Sequence, residues 1–224
     1  MARLFQKTVR YLRCYHDLTF GRRPQTPEAA VDFCMDRPIL MMQVRSEILG
    51  LGKLLQDAVP KRSLEIGTAF GGTLFFLCTL SSPGAHIISI DLRGGQFGGG
   101  YPRVRIPLLR RFPTKHQRLH LIQADSHSPE TKARVLRILQ GDQLDYLFID
   151  GDHTYAGVKG DFEMYAPLVR HKGMIAFHDI TVNKANAGCE VEKFWTELKQ
   201  RYEFREFIER PDQGWGGIGV IFKP

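Results

Sequence analysis

"LDYLFIDGDHTYAGVKGDFEMYAPLVRHKGMIAFHD", residues 144–179, decides the fold. It opens on an apolar run, 144–150, that ends in Asp150. A continuous apolar run of this length reads as a strand buried on both faces. A helical stretch, "AGVKGDFEMYAPLV", follows. A second apolar run, "GMIAFHD" (173–179), then ends in His178 and Asp179. Strand, helix, strand is the unit of a parallel sheet, and its two strands should lie side by side.

The same alternation continues upstream. "SLEIG" (63–67), "HIISID" (86–91) and "LHLIQAD" (119–125) read as strands. "TLFFLCTL" (73–80) reads as a buried helix, "YPRVRIPLLRRF" as weakly helical, and "SPETKARVLRIL" as a helix with Ser128 as N-cap and Pro129 at its first position. Downstream, "EVEKFWTELKQRY" is helical, and "EFREFIE" and "IGVIF" are strands. Only "RPDQGWGG" separates those last two, too little for a crossover, so they form a hairpin and one strand runs antiparallel. The expected architecture is α/β: a doubly wound, Rossmann-like sheet, mostly parallel, with helices on both faces.

Before residue 61 the character differs. "MARLFQKTVRYLRCYHDLTF" places Leu4, Phe5, Val9, Leu12 and Tyr15 among basic residues at roughly helical spacing. Such a helix would cover the core, or suit a membrane surface or a partner subunit, so a homo-oligomer contact through these helices is an expectation. "GRRPQTPE" reads as a loop, and the pattern from Ile39 to Leu55 is helical. We therefore expect an N-terminal helical extension, 1–60, and a ligand-binding domain, 61–224.

Composition narrows the class. The chain has 224 residues, 43% hydrophobic and 25% charged, as in an ordinary globular protein. No apolar run approaches the ~20 residues of a membrane span, and the N-terminus lacks the apolar core of a secretory signal. Four scattered cysteines, without a CxxC pair, suggest reduced thiols in a cytoplasmic protein. The net charge of +7 would attract anions, but no basic run interleaves with aromatics, so nucleic acid is not the expected partner.

The chemistry gathers at the carboxyl ends of the strands, where open α/β sheets bind ligands. The first strand ends in Glu65-Ile66-Gly67, followed by a turn with Thr68, Gly71 and Gly72. This is not GxGxxG, since Ala69 replaces a glycine. Asp91, about twenty residues on, is placed to hold ribose hydroxyls. Turn and acid together favour a nucleoside-bearing cofactor. Asp125 and Ser126 either lie by an adenine or cap the next helix. Asp150 and Asp179 converge on adjacent strands about 4.8 Å apart, with His178 beside them. Bare carboxylates so close repel, so a divalent cation is expected there: Mg²⁺ or Ca²⁺ from the oxygens, with Mn²⁺, Fe²⁺ or Zn²⁺ admitted by the imidazole. Asp152 or His153 would be the general base, while Asp152 or Thr154 serves equally as a helix cap. "LRGGQFGGGY" (92–101) reads as a flexible loop beside the site, suited to a lid.

"LEIGTAFGGT", "IISID", "FIDGDHTYAGVKGDFEMYAPLVRHKGMIAFHD" and "VEKFWTEL" with "GGIGVIF" together carry a resemblance over residues 40 to 222. The chain resembles the class I S-adenosylmethionine-dependent methyltransferases. Within them it is similar to the metal-dependent small-molecule O-methyltransferases, the group of macrocin-type sugar methyltransferases and cephalosporin hydroxylase-like proteins. The resemblance implies seven strands with an antiparallel strand near one edge. It implies S-adenosyl-L-methionine, with Glu65, Gly67, Thr68 and Gly71 in its loop, Asp91 at the ribose, and Asp125 and Ser126 at the adenine. It implies Asp150, His178 and Asp179 as ligands of a divalent metal, Mg²⁺ or Mn²⁺, although relatives often carry an acid where this chain has His178. Asp152 matches the base of the sugar methyltransferases. The expected reaction is methylation of a hydroxyl on a sugar or other small polar metabolite. Methylation of nucleic acid, a nicotinamide-dependent oxidoreductase, or a non-catalytic S-adenosylmethionine-binding protein are the other readings.

Overall fold

The computed structural model describes residues 2–35, 37–94, 97 and 99–224, and side chains from Gln6 onward except that of Lys7. Three helices come first: α1 (Ala2–Phe20), α2 (Pro27–Met35) and α3 (Arg45–Ala58). Then strands and helices alternate: β1 (Arg62–Ile66), α4 (Gly72–Leu80), β2 (His86–Asp91), the short α5 (Ile106–Leu109), β3 (Arg118–Gln123), α6 (Pro129–Leu139), β4 (Leu144–Ile149), α7 (Tyr155–Tyr165), β5 (Val169–His178), α8 (Val191–Lys199), β6 (Glu203–Phe207) and β7 (Ile218–Phe222).

The seven strands form one sheet in the order β3-β2-β1-β4-β5-β7-β6. Neighbours from β3 to β5 are parallel, and β7 is antiparallel to both β5 and β6. The hairpin is as expected, and the strand order reverses between β1 and β4. Crevices open at such reversals, outside the carboxyl ends of the strands.

Two apolar layers sandwich the sheet. On one face Tyr146, Phe148, Ala176 and Val220 pack with α1–α4. On the other Leu64, Ile66, Ile88 and Ile90 pack with α6, α7 and α8. Side-chain alternation along each strand divides these sets. In α8, Val191, Phe194, Trp195 and Leu198 recur at helical spacing and are buried. Among the described residues, no helix is long and apolar enough to cross a membrane.

The N-terminal third departs most from the sequence reading. The stretch read as helical from Ile39 begins its helix only at Arg45. Residues 38–44 instead cross the start of α4, where a Cβ on Gly72 would come within 2.5 Å of the Leu40 carbonyl oxygen. That path leaves Leu40 and Met42 exposed at the site. Helix α2 was not expected, yet its signals are local: Thr26 Oγ1 accepts the Ala29 N–H at 3.2 Å, and Pro27 and Glu28 fill the first turn. Among the described side chains of α1, Cys14 and Leu18 are buried, while Val9 and Leu12 stay exposed. The side chains of Leu4 and Phe5 lie outside the described residues, as do Gly95, Gln96 and Gly98 of the expected lid.

Candidate active site

The carboxyl ends of β1 to β5 open into one cavity of about 460 Å³. That volume suits a small ligand or cofactor. Every site residue named from sequence lines it except Glu65 and Gly71.

The β1–α4 turn forms its floor. Gly67 (φ +90°) and Gly71 (φ +89°) take the left-handed conformation that favours glycine. A Cβ on Gly67 would collide with the Asp150 carbonyl, so this glycine lets the turn meet the end of β4. Ala69 is also left-handed, at φ +45°. Such a conformation costs an L-residue roughly 1 kcal/mol or more. Asp91 holds the turn: its Oδ2 accepts the N–H groups of Thr68 at 3.0 Å and Ala69 at 2.7 Å. Burial raises the Asp91 carboxyl above the usual range, against the pull of those amides.

Glu65 lies elsewhere. Strand alternation turns it toward the α3–α4 face, where it is fully buried and its Oε2 accepts the Thr68 hydroxyl at 3.0 Å. Burial pushes its pKa up to about 8, so at neutral pH it is largely protonated. Through that hydroxyl it touches the turn from beneath.

Asp125 Oδ1 accepts the His127 N–H at 2.9 Å, a local turn, and the Ser126 carbonyl accepts the Tyr165 hydroxyl at 2.7 Å. Neither residue caps α6. Its N-cap position is Ser128, whose hydroxyl donates to Glu130 rather than capping an amide.

The metal candidates converge. Ligating atoms of Asp150, His178 and Asp179 lie within 4.8 Å of one another. His178 Nδ1 is 3.2 Å from Asp150 Oδ1 and 3.6 Å from Asp179 Oδ1. His153 sits between the two acids, with Nε2 3.5 Å from Asp150 Oδ1 and Nδ1 3.0 Å from Asp179 Oδ2. Burial would lower His153, but hydrogen bonds to Asp150, Asp179 and Cys189 outweigh it and push the imidazole up to about 12. Burial likewise opposes ionisation of Asp150, yet the His178 and His153 imidazoles hold its carboxyl well below the usual range. The cluster is thus charge-compensated by imidazolium.

Two adjacent residues part company here. Asp152 turns away from the cluster: its Oδ1 accepts the Thr154 N–H at 2.9 Å, and its carboxyl lies against Gly157 in the first turn of α7. Thr154 is the N-cap, its Oγ1 accepting the Gly157 N–H at 3.0 Å. His153 is the one of the pair that contacts Asp150 and Asp179.

Sequence reading missed the supports. Gln43, before α3, donates from Nε2 to Asp150 Oδ2 at 2.9 Å, and its Oε1 is buried with no partner among the described residues. Asp179 is left-handed, at φ +59°. The Gly216 N–H secures it by donating to Oδ1 at 2.9 Å. Glu47 of α3 in turn grips that loop, accepting the Gly217 N–H at 2.9 Å and Gln213 Nε2 at 2.6 Å. One signal was available for Glu47: it is an acid on the otherwise apolar stripe of Ile48, Leu51 and Leu55.

Fold and site together define a class I methyltransferase: a 3-2-1-4-5-7-6 sheet with a nucleoside-sized cavity at its switch point. The chain belongs to the family described as "Methyltransferase domain", whose model matches residues 64–180, more than half of the 224. It is 26% identical over 167 residues to the uncharacterized protein y4gI of Sinorhizobium fredii. That match covers 73% of this chain but 17% of the relative's length. Among solved structures, the O-methyltransferase from Bacillus cereus in complex with SAH is 15% identical and superposes with a TM-score of 0.56 over 97% of this chain and 100% of that one. TomG from Streptomyces achromogenes, an O-methyltransferase in complex with SAM, gives 17% and 0.55 over 94% and 95%. The mycinamycin-pathway methyltransferase MycE, in complex with Mg and SAH, gives 17% and 0.58 over 90% of this chain and 55% of that one.

Proposed function

We propose that the protein is an S-adenosylmethionine-dependent O-methyltransferase, assisted by a divalent metal, acting on a hydroxyl of a sugar or other small polar metabolite. One observation carries the reading: Asp150, His153, His178 and Asp179 converge in the cavity that the β1–α4 turn also lines. The SAM, SAH and Mg held by the structural neighbours support it.

S-adenosylmethionine, when bound, supplies an electrophilic methyl group on a sulfonium centre. The Gly67–Ala69 turn, Asp91, Asp125 and Ser126 would hold it. The donor set also fits a divalent cation, with two carboxylates, an imidazole and the partnerless Gln43 Oε1 beside Asp150. Such a cation supplies positive charge that acidifies and orients the hydroxyl and takes over neutralisation of the two acids. His153, relieved of that task, is the group placed to hold the acceptor's proton. Trp215 and Phe97 give the cavity flat apolar walls, and Asn183 a polar one, in keeping with a hydroxylated ring. Aligning donor and acceptor does the rest.

Asp179→Ala tests the assignment. Metal-dependent turnover should disappear, while S-adenosylhomocysteine affinity by calorimetry should stay within about threefold, since each factor of ten corresponds to 1.4 kcal/mol. Loss of cofactor binding in a folded variant would mean that the roles are misassigned.

A further inference from the structure

Asp179 has donors on both sides. Its Oδ1 faces His178 and the Gly216 amide, and its Oδ2 faces His153. Beyond Oδ2 lies a thiol. Ligating atoms of His153, Asp179 and Cys189 lie within 4.8 Å of one another, a cluster distinct from the one completed by Asp150 and His178. We propose that His153, Asp179 and Cys189 form a second cation site, suited to Zn²⁺ and unsuited to Mg²⁺.

Three segments build it: the β4–α7 loop, the end of β5, and the loop before α8. The thiol's segment is docked by backbone bonds. Glu190 N–H donates to the His153 carbonyl at 2.7 Å, Cys189 N–H to the Asn186 carbonyl at 3.0 Å, and Glu190 Oε2 accepts the Tyr155 N–H at 3.3 Å. Cys189 is thereby fixed against His153.

The donor types select the metal. Nitrogen, oxygen and sulfur ligands suit a tetrahedral borderline cation such as Zn²⁺. Mg²⁺ demands octahedral oxygen and leaves thiolates alone. Three protein ligands leave a fourth position for water. The supporting groups are those of zinc sites. His153 Nε2 lies 3.5 Å from Asp150 Oδ1, leaving Nδ1 for the metal. Asp179 Oδ1 is tied to Gly216, leaving Oδ2. Zinc binding through an imidazole nitrogen and a thiolate displaces protons, because only the deprotonated atoms ligate.

Access is selective among the thiols. Cys189 is partly exposed, whereas Cys14, Cys34 and Cys78 are buried. A consequence follows that rests on the methyltransferase reading: Zn²⁺ here occupies His153 and Asp179 and so inhibits transfer.

The test is a titration of the full chain with Co²⁺, a spectroscopic stand-in for Zn²⁺. The expected signature is a near-ultraviolet thiolate-to-cobalt charge-transfer band with strong visible bands of tetrahedral Co²⁺, all removed by Zn²⁺. Cys189→Ser should abolish the thiolate band and weaken Zn²⁺ binding by about tenfold or more. His178→Gln, which leaves His153, Cys189 and Asp179 Oδ2 in place, should keep the band. Circular dichroism confirms that both variants fold. This readout needs no turnover, so it stands even if the methyl-transfer reading fails. Where turnover is measured, Zn²⁺ should inhibit wild type more strongly, relative to its own Mg²⁺-supported rate, than it inhibits Cys189→Ser. Wild-type protein without a thiolate band, or a Cys189→Ser variant equal to wild type in Zn²⁺ affinity, overturns the second site.

Discussion

At the scale of single residues, neighbours in sequence take opposite roles. Asp152 and His153 differ by one position, yet one caps a turn and the other bridges two acids. Sequence could not divide them, because the choice depends on a local turn closing onto Thr154. The burial of Glu65 was legible in principle: with Leu64 and Ile66 facing α6–α8, strand alternation sends it to the other face. That burial makes stability depend on pH. The folded pKa, about 8, exceeds the ordinary 4.5, so the folded state keeps the proton longer. The contribution of this carboxyl is therefore fully present below pH 4.5 and is lost as pH rises through about 8. Each pH unit separating the folded and unfolded values is worth about 1.4 kcal/mol, so the loss amounts to several kcal/mol. Glu65→Gln should flatten the profile across that window and exceed wild type in stability above it. Urea unfolding at a series of pH values measures this, and an unchanged slope would show that the carboxyl is not the titrating group.

At the scale of elements, the strands, the α7 crossover and the closing hairpin could all be read, since each has a period and a punctuated end. The clamp between α3 and the β6–β7 loop could not. Glu47 and Gly217 are 170 positions apart, and no periodicity links them. Yet this clamp positions the Gly216 amide that secures Asp179. Glu47→Ala strands the buried Gly217 amide and frees Gln213. An unsatisfied buried group costs roughly 1–3 kcal/mol, so the melting temperature should drop by several degrees. Divalent-metal affinity should weaken with it, while Glu47→Gln, which keeps an acceptor, should recover part of both. Calorimetry with Mn²⁺ reads the second effect, and an unaltered affinity in Glu47→Ala would disconnect the clamp from the site.

At the scale of the whole molecule, the sequence suggests a boundary near residue 60. The buried residues draw no line there. Val31, Ile48, Leu51 and Leu55 share a core with Phe75, Phe76 and Tyr146 from the sheet and α4. A fragment of residues 61–224 would expose that whole face. It should show no cooperative urea transition, and a sharp transition with the full chain's steepness would make residues 1–60 an extension that the domain can spare. The strand order has a different bearing, on biosynthesis. Strand β7 lies between β5 and β6 although it is translated after both. While the ribosome has yet to deliver it, β5 presents an unsatisfied edge, the hydrogen-bonding template on which chains aggregate. Asp179 meanwhile lacks the amide of Gly216. The nascent polypeptide is therefore incomplete at the site and adhesive until β7 emerges, and chaperone dependence should be concentrated in that interval.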